Sequence, residues 1–394
     1  MSEEIEVAKA IENLIGSSTS PIGHHDLYID DSDRIYISNA LDGSKYKSNV
    51  GSTYYVDLLQ QRIAKYCGVE HAIATSSGTA ALHVALLACG IEHDDVFGGD
   101  EVLMPAMTFA GVAHAVIQAG GTPHFVDGKY GINAYKLLLY LNDETKFIRI
   151  DNYLVNKNGR NRVRAIIGTD LLGVPDDYAA LQKLADQYNL ILIEDAAEAL
   201  GSELNGKKCG SFGKAAIFSF NTNKIVSGNG GGMLLTDDAW VAAEAYRLST
   251  TGRIPHAWEI KHDAVGFNYR MPDLNACLIL AQLQRFEEIL SYKRRLKAAY
   301  MGAINAASGV YFRVSSNPMS ISNEWLISIE LHPSLSRIGL LQELHNRGIF
   351  AREMFTPLHK LPHLADYPKM DNLMTAEAMY ENTICLPSGM GLVP

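Results

Sequence analysis

The chain has 394 residues, 47% of them hydrophobic and 20% charged, with a formal net charge of −10. That balance describes a globular protein with room for one large domain and a smaller one, and the negative sign excludes a general nucleic-acid surface, which needs a basic face. Cys67, Cys89, Cys209, Cys277 and Cys385 are odd in number and lack any CxxC spacing, so free thiols in a reducing compartment are expected, not a disulfide frame or a zinc site.

The acidic start, Met1 to Glu6, lacks the basic-then-apolar pattern of a signal peptide. No apolar run approaches the roughly 20 residues of a membrane span, so a cytoplasmic protein without membrane contact is expected. Ile5, Ala8, Ile11 and Leu14 predict a short helix, and a loop follows from Ser17 to His25. Residues 52–67 read as an amphipathic helix on Val56, Leu59, Ile63 and Tyr66, and His71 to Thr75 as the first sheet strand. The stretch Thr75-Ser76-Ser77-Gly78-Thr79-Ala80-Ala81-Leu82 passes from that strand directly into a helix. Backbone N–H groups and hydroxyls at a helix start make an anion site.

Strands at Glu101 to Pro105 and Pro123 to Asp127 flank a helix at Thr108 to Gln118. Residues 128–162, polar and tyrosine-rich, predict a helix and an inserted loop. A strand at Val163 to Gly168, a helix at Tyr178 to Tyr188 and a strand at Leu190 to Ile193 continue the alternation. This rhythm implies an α/β fold with a mostly parallel sheet and helices on both faces. Glu194, Asp195 and Glu198 fall at the carboxyl end of the last strand, where ligands bind in such sheets. Strands at Ala215 to Phe220 and Gly232 to Thr236 lie too close for a helical crossover, so they pair antiparallel or stand apart across the glycine turn.

Between those two strands lies Lys224, in Asn221-Thr222-Asn223-Lys224, ahead of Ser227-Gly228-Asn229-Gly230-Gly231-Gly232. An isolated lysine in a turn is ordinarily a solvated one. A lysine held between buried strands is poorly solvated, and desolvation frees an amine to attack a carbonyl. Met271 to Ala303 predicts one long helix or two joined ones, with Ile279, Leu283, Phe286 and Leu290 on one face. Strands at Val310 to Val314, Trp325 to Leu331 and Phe350 to Glu353, with a helix at Arg337 to His345, complete a small α+β domain. The expected division is 1–270 for the large domain with its N-terminal segment, 271–304 for the connecting helix and 305–394 for the small domain.

A lysine for covalent attachment, an aspartate for a pyridinium and a helix start for a phosphate are the three grips that pyridoxal phosphate requires. These stretches, with Gly99 to Phe109 and Gly266 to Met271, resemble the fold-type I pyridoxal-phosphate enzymes of the DegT type, which are nucleotide-sugar aminotransferases. The resemblance covers roughly residues 45–300 well and the rest more loosely; relatives tend to run on past Gly391-Leu392-Val393-Pro394 into a helix. It implies Lys224 as the catalytic lysine, Asp195 against the ring nitrogen, and Glu198 near the ring hydroxyl, where many relatives carry Gln or His. Ser77, Gly78, Thr79 and Ser219 would grip the phosphate, and Phe109 would stack on the ring. Read without the resemblance, Asp195 is a helix-capping acid and Phe109 plain core.

Asn268 matches a family asparagine that reaches the phosphate in the neighbouring subunit, which implies a homodimer with composite sites. The run from Arg253 to Asp263 is similar to one branch, which aminates C4 of UDP-4-keto-6-deoxy-N-acetylglucosamine with L-glutamate as donor on routes to legionaminic acid and bacillosamine. That branch promotes Arg253, His256 and His262 as substrate contacts, with His25, Arg352 and, more weakly, His24 and His359 beside them. Asp170-Leu171-Leu172-Gly173 stands where relatives carry a histidine, so no role for that histidine is carried over. GDP-linked and dTDP-linked keto sugars remain open as acceptors. A pyridoxal-phosphate-binding regulator would need a DNA-binding module, for which no pattern is evident.

Overall fold

In a computed structural model of the protein, the structure describes residues 3–16, 21–42, 53–92, 99–159, 161–254, 256, 258–304, 309–313 and 318–392. Residues 17–20 of the expected loop, residue 52, Val314 and the final Val393-Pro394 lie outside the described residues.

The first half runs α1 (Glu3–Ile15), α2 (Asp31–Asp42), α3 (Tyr54–Cys67), β1 (His71–Thr75), α4 (Gly78–Ala88), β2 (Asp100–Pro105), α5 (Ala110–Gln118), β3 (Thr122–Val126), α6 (Ala134–Leu141), β4 (Phe147–Ile150), β5 (Tyr153–Asn156), β6 (Arg162–Thr169), α7 (Tyr178–Tyr188) and β7 (Ile191–Asp195). The second runs β8 (Glu203–Leu204), β9 (Lys207–Lys208), β10 (Ala215–Ser219), β11 (Gly232–Thr236), α8 (Ala239–Ser249), β12 (Arg253–Ile254), β13 (Lys261–His262), α9 (Asp273–Leu283), α10 (Phe286–Ala303), β14 (Val310–Phe312), β15 (Ser320–Ile321), β16 (Ser328–Leu331), α11 (Arg337–Asn346), β17 (Arg352–Glu353), α12 (Met374–Asn382) and β18 (Thr383–Cys385).

The main sheet is ordered β1-β11-β10-β7-β6-β2-β3. Pairing is parallel from β10 through β7, β6 and β2 to β3, while β11 is antiparallel to both β10 and β1. The mixed, mostly parallel α/β sheet of the expected fold is therefore present, and β10 and β11 take the antiparallel alternative. Its central strands are well covered: β2 and β11 are buried at every residue, as a sheet packed on both faces requires. One register matters most. Gly232 of β11 lies opposite Thr75 of β1 on one side and Ser219 of β10 on the other. The strand that starts the α4 turn and the strand that leads to Lys224 are thereby held one glycine apart. A Cβ on Gly232 would sit 2.2 Å from the Ser77 carbonyl oxygen, so the position admits only glycine.

One expectation needs correction. The insert after α6 is not a loop but the antiparallel hairpin β4–β5, which joins the first residues of β6. It was hidden because Ile148 and Ile150 remain 46% and 42% exposed, so β4 shows no apolar-in, polar-out alternation even though Leu154 and Val155 of β5 are buried. Of the two alternatives for 271–303, the structure takes two joined helices, α9 and α10, broken at Gln284 and Arg285. Helix α2, absent from the sequence reading, packs against α9.

The small antiparallel sheet is ordered β14-β16-β18-β17. Its core takes Val7, Ala8 and Ile11 from α1 together with Leu296 and Tyr300 of α10 and Leu340 of α11. The N-terminal helix thus belongs with the small sheet, because its apolar face has its partners there. Residues 355–380 depart in the opposite direction. The Leu358 N–H donates to Ala106 O at 2.8 Å, Phe125 N–H to Pro368 O at 2.9 Å and Met370 N–H to Phe125 O at 2.9 Å, so this segment lies along the β3 edge. Leu358, Leu364 and Met379 are part of the large core. We therefore propose a division in which α1, α10 and the small sheet form one unit and residues 355–380 strap it to the other.

Candidate active site

The carboxyl ends of β6, β7 and β10 converge with the start of α4 on a cavity of about 390 Å3. This is the crevice where an open α/β sheet places its ligands. Nine of the residues singled out in the sequence line it: Ser77, Gly78, Thr79, Phe109, Asp195, Glu198, Ser219, Lys224 and Arg352.

Ser77 is the N-cap of α4; its Oγ accepts from Ala80 N–H at 3.1 Å. The first N–H groups of a helix have no carbonyl partner within it and carry the positive end of its dipole. Gly78 allows close approach here, since a Cβ would stand 2.8 Å from Ser219 Cβ. Helix α4 is Ala/Leu-rich and buried on most sides, which fixes this turn to the sheet.

Asp195 ends β7, only 5% exposed, with Oδ1 accepting from Ala197 N–H at 3.1 Å. Burial pushes its carboxyl up to about 7, with Glu198 adding to the shift and the Ala197 N–H and Lys224 opposing it. A buried carboxyl this short of donors suits a cationic N–H partner. Glu198 is held by the Leu172 N–H, which donates to Oε2 at 2.7 Å, and its Oε1 faces Lys224 Nζ at 3.4 Å. Leu172 adopts a left-handed conformation, φ +56°, in the Asp170-to-Gly173 stretch that departs from relatives. The backbone of this stretch supplies the Glu198 anchor. Lys224 Nζ also lies 4.1 Å from the centroid of the Trp325 ring.

Phe109, the N-cap of α5, is 56% exposed beside the cavity and meets Phe355 edge-on at 5.9 Å between centroids. Thr169, at the end of β6, carries a buried Oγ1 without a hydrogen-bond partner among the described residues. Pyridoxal phosphate fits this set: an acid for its ring nitrogen, a helix start and hydroxyls for its phosphate, an aromatic face for its ring and a lysine for attachment.

Seven sequence candidates, His24, His25, Arg253, His256, His262, Asn268 and His359, do not line the cavity of their own chain. His25 lies behind Trp325, its Nε2 2.8 Å from Lys293 Nζ. Arg253 and His262 pair across the short β12–β13 hairpin, and exposed His256 uses Nδ1 to accept from the Glu259 N–H at 2.9 Å. Asn268 is exposed in an extended segment beside β1, bridged to Thr250, and the next residue, Tyr269, accepts the Ser76 N–H through its carbonyl at 2.7 Å. His359 is engaged with Glu377 at 2.8 Å. Conversely, Trp325, Phe355, Thr169, Asn221 and Asn223 line the cavity and were not singled out. The strand-end rule marks Thr169, and the lysine turn marks both asparagines; Trp325 and Phe355 come from the distant C-terminal region.

Asp170, Glu194 and Cys209 bring ligand-type atoms within 4.8 Å of one another behind the site. They are already knitted in: Asp170 Oδ1 accepts from Tyr178 OH at 2.7 Å, and Glu194 accepts from the Gly210 and Phe212 N–H groups at 2.7 Å. All five cysteines are buried free thiols, and among the described residues no helix is long and apolar enough to cross a membrane.

The sequence profile of the DegT/DnrJ/EryC1/StrS aminotransferase family matches residues 29–394. The chain belongs to that family. Among curated relatives, it is 34% identical to GDP-perosamine synthase of Caulobacter vibrioides over 92% of each chain. It is 32% identical to EpsN of Bacillus subtilis, provisionally named a pyridoxal phosphate-dependent aminotransferase, over 86% of this chain and 84% of EpsN. The solved structure of DesI with its TDP-sugar product superposes with a TM-score of 0.79 at 28% identity, covering 96% of this chain and 91% of DesI. The protein is thus a fold-type I sugar aminotransferase acting on nucleotide sugars, and pyridoxal phosphate is its cofactor.

Proposed function

We propose that this enzyme transfers the amino group of L-glutamate to C4 of a nucleotide-linked 4-keto-6-deoxy sugar for surface-glycan synthesis. The observation that carries the reading is that Lys224 and Asp195 face one cavity beside the α4 start. When bound, the cofactor supplies a cationic ring that accepts the electrons left as a proton leaves carbon. Asp195 holds the proton on the ring nitrogen through a charge-assisted hydrogen bond. Ser77, Thr79, Ser219 and the α4 N–H groups hold the phosphate, with Gly78 letting them close in. Phe109 would cover the ring, and Glu198 would lie near its hydroxyl. Lys224 Nζ would be the attachment point for the group and the base that takes and returns the proton at carbon. Arg352, on the cavity wall, is a donor for substrate carboxylate or phosphate.

For the acceptor, two readings each have an observation behind them. The run from Arg253 to Asp263 favours UDP-4-keto-6-deoxy-N-acetylglucosamine, and the name of the Caulobacter relative favours a GDP-linked sugar. Cofactor chemistry is common to both, so pocket contacts decide. In either case Arg253, His256, His262 and Asn268 serve the cavity of a second copy, making the homodimer's sites composite. Borohydride reduction and peptide mapping should place the pyridoxyl group on Lys224; labelling of another lysine would overturn the site. Comparing kcat/KM for UDP-, GDP- and dTDP-linked 4-keto sugars by mass spectrometry decides the acceptor. A dTDP preference would remove both readings.

A further inference from the structure

Lys293 is a buried lysine near the site that the reaction above does not use. It is 0% exposed, on α10, and its amine faces three acceptors. These are Trp325 O at 3.0 Å, Ser388 O, and His25 Nε2 at 2.8 Å. Two are carbonyls, which only accept, and an ammonium is the lysine form with three N–H donors. An acidic neighbour, Glu324, is occupied by Lys297 at 2.8 Å and Arg313 at 2.9 Å. A buried lysine without its own carboxylate is costly to keep, so its three acceptors need a reason.

Trp325 supplies one. It is 1% exposed; its backbone N–H donates to Asn323 Oδ1 at 2.9 Å and its indole N–H to Asn223 O at 2.6 Å, in the turn that carries Lys224. Its ring face meets Lys224 Nζ at 4.1 Å, and its carbonyl is the one Lys293 holds. His25 supplies another. Donation from Lys293 leaves Nε2 as the acceptor, so the ring proton must be on Nδ1. His25 Nδ1 is buried and without a partner among the described residues.

We infer that Lys293 is a positioning residue for the amino-transfer site: it fixes the Trp325 face against which Lys224 rests, and it sets His25 as an Nδ1–H donor. This rests on the reading of Lys224 as the cofactor lysine. The tie spans chain regions far apart, the N-terminal segment through His25, α10, the approach to β16 and the stretch after β18, and it converges on one indole. The charged and titratable groups facing it are His24, Lys224 and Glu324, with Arg352 facing His24. Burial pulls Lys293 down to about 7 and His25 well below its ordinary value.

Two measurements on cofactor-free protein test it, and neither depends on which lysine carries the cofactor. In the unaltered sequence at pH 6, ring 15N shifts of His25 should show a neutral imidazole protonated at Nδ1. Protonation at Nε2 would overturn the tie. In a background carrying Trp240→Phe and Trp258→Phe, Trp325 is the sole indole, and its acrylamide quenching reports how firmly it is held. Lys293→Met keeps the bulk and removes the donors; quenching should rise at least twofold, and Lys224→Ala should no longer alter the emission. Unchanged quenching in folded Lys293→Met would refute the positioning role. Failure of Lys224 mapping with these signatures intact would sink the functional reading alone.

Discussion

At the scale of single residues, Asp195 makes the sharpest test, because its charge state depends on what fills the cavity. Burial holds the carboxyl at about 7 in the folded chain, against about 3.9 when unfolded. The folded state therefore binds the proton more tightly, so this group's contribution to stability is full below about pH 4 and is lost as pH rises through about 7. Without cofactor, Asp195→Asn should be more stable than the unaltered protein at pH 8, with a ceiling of about 4 kcal/mol from the size of the shift. The difference should shrink at pH 5. With cofactor the order should reverse, since Asn cannot pair with a cationic ring. Urea unfolding at both pH values checks this; a pH-independent difference would contradict the burial argument. Asp195 and Lys224 were legible in the sequence because each stands beside an apolar run whose end fixes its position. Trp325 was not, since its indole reaches the Lys224 turn across 102 residues of sequence and nothing local marks it.

At the scale of elements, legibility followed burial. Strands β2, β7, β10 and β11 are mostly or wholly buried and read as apolar runs, whereas the half-exposed β4–β5 hairpin did not. The α4 turn was visible as a motif, but its reason for glycine was not, because the contact it avoids lies on β10. A methyl at position 78 would stand 2.8 Å from Ser219 Cβ, at the rigid end of a side chain, so α4 would have to move away from the strand. Gly78→Ala should lose about 1–3 kcal/mol of stability, the ordinary cost of overpacking. Displacing the N–H groups should also weaken cofactor binding by roughly tenfold or more, equivalent to about 1.4 kcal/mol. Adding Ser219→Gly removes the atom that the methyl meets. The double variant should recover part of the stability and none of the cofactor affinity, because a phosphate hydroxyl is gone as well. Cofactor titration beside urea unfolding separates the two effects. Full recovery of both would mean that the glycine serves packing alone.

At the scale of the whole molecule, the decisive relation is between a cavity and a hairpin that its own chain does not bring together. The hairpin and its flank carry Arg253, His256, His262 and Asn268 and expose Trp258 at 81%, Ile260 at 73% and Val265 at 88%. Apolar side chains this exposed, clustered around polar ones, are what an interface with a second copy would cover. If each hairpin serves the other copy's cavity, two separately inactive variants complement one another. A Lys224→Ala subunit has a dead cavity and a sound hairpin; an Arg253→Ala/His262→Ala subunit has the reverse. In the mixed dimer the second subunit's cavity keeps Lys224 and meets the intact hairpin of the first, so one of its two sites works. Equal mixing makes half the dimers mixed, and activity should return to roughly a quarter of that of the unaltered enzyme. The sugar half-reaction should carry the whole defect of the hairpin variant, with the glutamate half-reaction near normal, because the cofactor's own grips are untouched. Separate half-reaction rates by absorbance, before and after subunit exchange, measure this. No recovery on exchange, or full activity in a protein that sediments as a monomer, would return Arg253, His256, His262 and Asn268 to the ordinary surface.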